Sequence, residues 1–311
     1  HSCMSQGTST MHAKFYLFSQ SGRSRWVSMI SSANPYRGNT YFSWNNMHTI
    51  VGNRVVYDSL NKYFVDMLPD RTQRNYFRVT TSGKYRLYFY PGVSQRPNVW
   101  VDVLKHVGCT PGRGYGIRGR TRVRVAQWGW TTGRADVARE LRALHSRGCN
   151  VEVILNKGRT NKAVFRELLK PTKRGKLKVW DAWYDGNKNG IASMYNHHKV
   201  MTIDGRWFGR DARVVYTGSQ NLSLQAQMDN NDIILRILGD NRIHKAYMVN
   251  LNYMRDRKSR RIYTVPDNPK IDENDRVAGQ GATPEGAPPT VSPEDEGFLK
   301  ENAELEEFAE N

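Results

Sequence analysis

The sequence predicts an α/β protein of two similar halves, with strands flanked by helices in each. Three observations predict it. Strand-like and helix-like periodicities alternate along residues 1–265. A strand, helix, strand unit fits within residues 121–155, which implies a parallel, right-handed crossover. A short polar motif also occurs twice in the chain, which points to an internal duplication.

Charge narrows the class of partner. Of 47 basic and 29 acidic residues, residues 266–311 hold 3 and 13, so residues 1–265 carry 44 basic against 16 acidic, a net of +28. Such a body attracts polyanions: nucleic acid, an anionic lipid surface or a phosphodiester substrate. Solubility alone is the plainer explanation of the same charge. Cys3, Cys109 and Cys149 lack C-x-x-C spacing, and one pair could close in an oxidising compartment. No run of about 18 apolar residues occurs, so no spanning helix is expected.

In chain order, Phe15–Ser19 and Trp26–Ser31 read as strands around the turn Gln20–Arg23, with a third at Met47–Val51. Arg54–Leu68 is a helix whose Val55, Val56, Leu60, Tyr63, Phe64 and Met67 share a face, ended by Pro69. Arg86–Tyr90 is a strand and Asn98–Val107 a helix. The loop Gly108–Gly116 marks the junction between a first half, 1–110, and a second, 111–265. In the second half, Thr121–Trp128, Asn150–Leu155, Lys176–Asp181, His198–Asp204, Arg213–Thr217 and Asp232–Leu238 read as strands. Arg134–Arg147, Asn161–Leu169 and Asn241–Arg255 read as helices, with Gly148 as a C-cap. Residues 266–311 read as an acidic flexible tail, with a short acidic helix at Phe298–Phe308 the one element in view. The oxygen-rich run Asp181–Gly190 lacks the closing Glu of a calcium loop and is read as a turn.

The duplication is specific. Met11-His12-Ala13-Lys14 answers Asn196-His197-His198-Lys199, each leading into an apolar strand. Ser31-Ser32-Ala33-Asn34 then answers Gly218-Ser219-Gln220-Asn221, and Trp44-Asn45-Asn46-Met47 answers Asn230-Asn231-Asp232-Ile233. Alternate side chains share one face of a strand, so each His and Lys point the same way. An imidazole beside an ammonium, with a hydroxyl and a carboxamide nearby, suits a phosphate group. His48, His106, His145 and His244 have no such context and read as ordinary surface or core residues. Trp128, Trp130, Trp180 and Trp183 either line an apolar entrance or pack.

His-x-Lys-x4-Asp followed by Gly-Ser-x-Asn, present twice, resembles the phospholipase D superfamily. The second copy matches in full: His197, Lys199, Asp204, Gly218, Ser219 and Asn221. Between its Asp204 and Gly218 the spacing exceeds the family's, so a longer loop is expected at Gly205–Tyr216. The first copy keeps His12, Lys14, Ser32 and Asn34 but has Ser19 for Asp and Ser31 for Gly. Divergence of this kind is similar to secreted actinobacterial phospholipase D-like proteins, which implies an extracellular location. The first half begins only eleven residues before His12, without the strands that open the second, so the resemblance implies an N-terminally truncated chain.

The resemblance further implies two phospholipase D-like lobes with the active site between them, acting as a monomer with neither metal nor cofactor. The implied substrate is a phospholipid at a membrane surface, hydrolysed or transferred to another alcohol through a phosphohistidine; the alternative is nucleic acid, cut by the same two-histidine chemistry. His12, Lys14, Asn34, His197, Lys199 and Asn221 are the expected catalytic set. Ser32 and Ser219 are expected on the phosphate, and Asp204 and Asp232 in support. Of the acids expected beyond each Ser-x-Asn only Asp232 is present, Asn46 standing in the first half. Asp232 is therefore expected to hold His12 as nucleophile, leaving His197 as acid and Asp204 as structural.

Overall fold

The computed structural model describes residues 2–5, 9–73, 76–92, 98–184 and 193–266. The acidic tail, its Phe298–Phe308 segment and most of the Asp181–Gly190 run lie outside the described residues.

Lys14–Ser21 (β1) and Ser24–Ser31 (β2) form an antiparallel hairpin. A short helix, Arg37–Tyr41 (α1), leads to Ser43–Trp44 (β3) and then to Met47–Ile50 (β4), which pairs with β2. Arg54–Met67 (α2) starts at Asn53, whose side chain accepts the Val56 N–H. Val56, Leu60, Tyr63 and Met67 bury its inner face. Val55 and Phe64, expected there, are about half exposed. Arg78–Ser82 (β5) and Tyr85–Phe89 (β6) form a second hairpin. β5 holds one apolar residue among five, so no alternation marks it in the sequence.

Val99–Lys105 (α3) is followed by Arg122–Gln127 (β7), Ala135–Arg147 (α4) and Asn150–Leu155 (β8). β7 and β8 are parallel, and Gly148 ends α4 with φ +109°, as the spacing predicts. Lys162–Leu169 (α5), Lys178–Asp181 (β9), Trp183–Tyr184 (β10) and Met194–Asn196 (β11) come next. Lys199–Trp207 (β12) and Arg210–Gly218 (β13) make a long hairpin. The loop expected at Gly205–Tyr216 is thus strand on both sides of a tight turn at Phe208-Gly209, because Trp207, Ala212 and Val214 extend the apolar face. Leu224–Met228 (α6), Ile233–Leu238 (β14), Asn241–Lys258 (α7) and Arg260–Ile262 (β15) complete the chain.

Among the described residues, nine strands form one mixed sheet in the order β15-β9-β8-β7-β12-β13-β14-β6-β5. Helices α3, α4 and α5 cover one face, over Val123, Val125, Val151, Val153 and Ile203. On the other face, α7 packs Leu251 and Met254 on Ala126, Ile154 and Val200, while α2 and the sheet β1-β2-β4 pack over Val215, Leu235 and Leu87. Two matched runs are visible: β1, β2, β4 and α2 repeat as β12, β13, β14 and α7. No described helix is long and apolar enough to cross a membrane.

Cys109 and Cys149 form a disulfide that ties the loop before β7 to the start of β8, 40 residues apart. Closing a loop of that length removes about 4 kcal/mol of unfolded-state entropy at most. Replacing both cysteines with alanine should lower the unfolding free energy by roughly 2–4 kcal/mol in urea melts without altering the far-ultraviolet spectrum.

Candidate active site

Each histidine is held by the half of the molecule to which it does not belong. His12 and Ala13 donate their backbone N–H groups to Asn231 O, at 2.9 and 2.7 Å. In the mirror arrangement His197 N donates to Trp44 O at 2.9 Å, continuing the parallel pairing of β11 with β3. The two His-x-Lys motifs are thereby cross-braced, ahead of β1 and β12, over the neighbouring ends of β14 and β3.

Side chains repeat the exchange. His12 Nδ1 lies 2.9 Å from Asp232 Oδ1, which also accepts the Ser219 hydroxyl at 2.5 Å. His197 Nδ1 lies 2.9 Å from Asn45 Oδ1, which accepts the Ser32 hydroxyl at 3.0 Å. Ser219 Oγ in turn accepts Ile233 N–H, and Ser32 Oγ accepts Asn46 N–H, both at 3.0 Å. The structural counterpart of Asp232 is therefore Asn45, not the expected Asn46. Asn46 instead faces His198 Nδ1 at 2.9 Å and donates to Thr217 and Tyr247. Two adjacent asparagines made the register ambiguous by one position; the backbone partnership of Trp44 with His197 fixes it.

Ser32 and Ser219, expected on the phosphate, are fully buried behind Asn45 and Asp232, with their hydroxyl protons donated there. They orient the groups that orient the histidines. Gly218 shows why the motif opens on glycine: at φ +137°, a Cβ would sit 2.2 Å from Ile233 O, on the strand that delivers Asp232. Asn221 is half-buried beside Gly129, with a buried Oδ1 that no described group hydrogen-bonds. Asn34 N–H donates to Asn39 Oδ1 at 2.6 Å, in the turn before α1. Asp204 is not part of the cluster. Five residues along β12 from Lys199, roughly 16 Å away, it accepts Gly116 N–H at 3.0 Å and meets Arg122 and Arg213.

The lysines complete a dense positive cluster. Lys199 Nζ donates to His197 O at 2.8 Å and lies 3.1 and 3.2 Å from the two ring nitrogens of His197. Lys14 Nζ donates to His12 O. Burial, helped by Lys14, lowers His12 to about 4 against the opposing pull of Asp232. Burial likewise takes Lys14 down to about 7, and carries His197 and Lys199 well below their ordinary ranges. Neighbouring cations push the same way: Lys199, Lys14 and His12 on His197, and Lys14 on Lys199. The groups of both halves thus sense each other across a shared space. An anion placed there removes the penalty on every one of them at once. No described trio of His, Cys, Asp or Glu is grouped to hold a metal ion.

Aromatic rings flank the His197 side. Trp128 stands 5.2 Å from the His197 ring and 4.8 Å from Tyr195, which is 6.1 Å from Trp183. Arg159 lies over Trp128 at 5.2 Å. Trp128 is half-buried and Trp183 partly exposed in this row of rings, whereas Trp130 is fully buried and bonded to Arg134 O. Tyr195, two residues before His197, had no signal beyond its place in the motif strand. His198, buried between Asn46 and Asn250 and lowered to about 3 by burial, is a structural imidazole.

In a proton NMR titration, the His12 imidazole should stay neutral down to about pH 4; in Asp232→Asn its midpoint should fall further, because the carboxylate is what raises it. A midpoint near the ordinary histidine value in the wild type would show that the cluster is not desolvated.

Part of the chain matches a known family, and its fold has relatives among solved structures. Residues 119–255 match the family model described as cardiolipin synthase, PLD-like domain. No curated protein sequence matches significantly. Phosphatidylserine synthase of Haemophilus influenzae Rd KW20 is similar in structure, with a TM-score of 0.56 at 13% identity, over 84% of this chain and 65% of that one. Polyphosphate kinase of Porphyromonas gingivalis gives a TM-score of 0.50 at 11% identity, over 81% of this chain and 34% of that one. The phospholipase D family member Nuc of Salmonella typhimurium is 15% identical, with a TM-score of 0.41, over 58% of this chain and 98% of that one.

Proposed function

We propose that the chain, whose residues 119–255 match the PLD-like domain model, is a phosphodiesterase of the phospholipase D type that cleaves a phospholipid phosphodiester through a phosphohistidine. The observation that carries this reading is the pair of crossed relays, Ser219–Asp232–His12 and Ser32–Asn45–His197, around two buried lysines.

The two relays differ in one respect that assigns roles. When His12 Nε2 attacks phosphorus, the ring gains positive charge, and the Asp232 carboxylate at Nδ1 stabilises it. The neutral carboxamide of Asn45 gives His197 no such help, so a protonated His197 is the stronger acid. In the first step the P–N bond forms at His12 as the P–O bond breaks, and His197 Nε2 protonates the departing alkoxide. In the second, His197 takes a proton from water, whose oxygen attacks phosphorus; the P–N bond breaks and His12 is restored. Lys14, Lys199, Asn34 and Asn221 bind the non-bridging oxygens, and Asn221 Oδ1 finds its partner in a donor of the substrate or a bound water.

Support for a lipid comes from the rim. Tyr36, Tyr41, Trp183 and Tyr184 are 37% to 53% exposed around the small β10-β11-β3 sheet and α1, beside the half-buried Trp128 and Tyr195. Amphipathic rings of this kind settle at the headgroup level of a bilayer. The disulfide supports an oxidising, extracellular setting. A second reading, a nuclease, is favoured by the net charge of +28 on residues 1–265.

Headgroup alcohol released from phospholipid vesicles in EDTA is the expected result. Plasmid degradation in EDTA, with intact lipid, would replace it with the nuclease. Acid-quenched enzyme should carry label on His12, and His12→Ala should carry none; label on His197 would exchange the two roles. The profile of kcat/KM should fall below about pH 4, where His12 is protonated, and fall again as pH rises, since His197 holds the proton it must donate only when the substrate's negative charge offsets the burial that lowers it. Asn45→Asp should slow esters with poor leaving groups roughly 10- to 100-fold, by making His197 a weaker acid. Activated aryl esters, which leave without a proton, should be nearly unaffected.

A further inference from the structure

At the far end of the nine-stranded sheet from His12 and His197 lies a second concentration of positive charge that the reaction above does not use. Arg86 on β6 and Arg236 on β14 are direct cross-strand partners, and Tyr216 on β13 is the next residue in the same row. Arg210 faces Trp207 across the β12–β13 hairpin, on the same side of the sheet. Like charges placed opposite each other on adjacent strands are destabilising. Here three guanidiniums converge.

The Arg236 guanidinium lies 5.8 Å from the Trp207 ring centroid, Arg210 lies 5.4 Å from the same ring, and Arg86 lies 5.4 Å from Tyr88. Arg236 is 7% exposed, yet its Nε, like that of Arg86, is buried with no hydrogen-bond acceptor among the described residues. Neither forms an ion pair with a described carboxylate. Among the acids, Asp102 on α3 faces Tyr88 and is drawn to His106, 3.6 Å away. Arginine cannot escape by losing its proton. A buried, unpaired guanidinium is costly in an apo protein and is satisfied by a bidentate oxyanion.

We propose that Arg86, Arg210 and Arg236, framed by Trp207 and Tyr88, form a second anion site that takes a phosphate oxyanion. Arg236 and Arg86 supply the buried Nε donors, Arg210 closes the site from the hairpin, and the rings hold the guanidiniums in plane. The site is roughly 13 Å from Asp232 along β14, four residues away, so its ligand is not the scissile phosphate. The bound group is either free inorganic phosphate or the phosphate of a nucleotide.

The test compares the wild type with the double variant Arg86→Gln, Arg210→Gln, which leaves the buried Arg236 in place. Titration calorimetry with inorganic phosphate should resolve a class of binding that the variant weakens at least tenfold. Turnover of a small aryl phosphodiester, and its inhibition by phosphate, should be unchanged. Phosphate should raise the thermal midpoint of the wild type more than that of the variant, whose midpoint without phosphate shows that it folds. Equal affinity and equal midpoint shifts in both proteins would overturn the proposal, as would a shift that chloride reproduces. Adenosine monophosphate bound more tightly than phosphate assigns the site to nucleotides; equal binding assigns it to the free ion.

Discussion

Two backbone hydrogen bonds set the terms for the rest of the molecule: His12 N–H to Asn231 O and His197 N–H to Trp44 O. Each crosses from one repeat to the other. A histidine anchored within its own repeat could drift with it, and the distance between the two rings would follow any movement of the lobes. Anchoring each on the other repeat makes the spacing of the pair a property of the interface. The proposed reaction, with two groups on opposite sides of one phosphorus, would need that spacing held closely. The hydroxyls of Ser32 and Ser219 and the glycine at 218 serve the same end, since all three fix the strand that carries the group behind a histidine.

Charge is arranged against the unliganded protein. His12, Lys14, His197 and Lys199 share a desolvated space with Asp232, and burial pushes all four toward their neutral forms. Electrostatic preorganisation of this type costs stability when the site is empty and is returned when an anion enters. Asn45 standing opposite Asp232 deepens the imbalance, and in the proposed reaction it would make His12 the charge-stabilised ring and leave His197 as the proton donor.

The duplicated motif was legible because His-x-Lys and Ser-x-Asn are polar interruptions in apolar strands, and their order repeats. The chain's crossover at β7–α4–β8 was equally legible, since Val137, Leu141 and Leu144 keep helical spacing between two valine-rich runs. Less could be read where tertiary pairing decides. Val55 and Phe64 share helical spacing with buried neighbours yet face solvent, because α2 meets its sheet over a narrower stripe. Asn45 and Asn46 are adjacent and identical, so only the partner of Trp44 could say which one faces His197. The hairpin beyond Asp204 was expected as a loop because its spacing exceeds that of the resembled family, although Gly205 and Gly209, at φ +141° and +76°, lie inside paired backbone or its turn.

The β5–β6 hairpin belongs to the first repeat by sequence and to the second by hydrogen bonding, since β6 pairs with β14 from Ile233 to Ile237. The heritable unit and the cooperative unit are therefore not the same. A gene divided at the glycine-rich junction would yield a C-terminal piece whose β14 ends in an open, isoleucine-rich edge, the kind that recruits other chains.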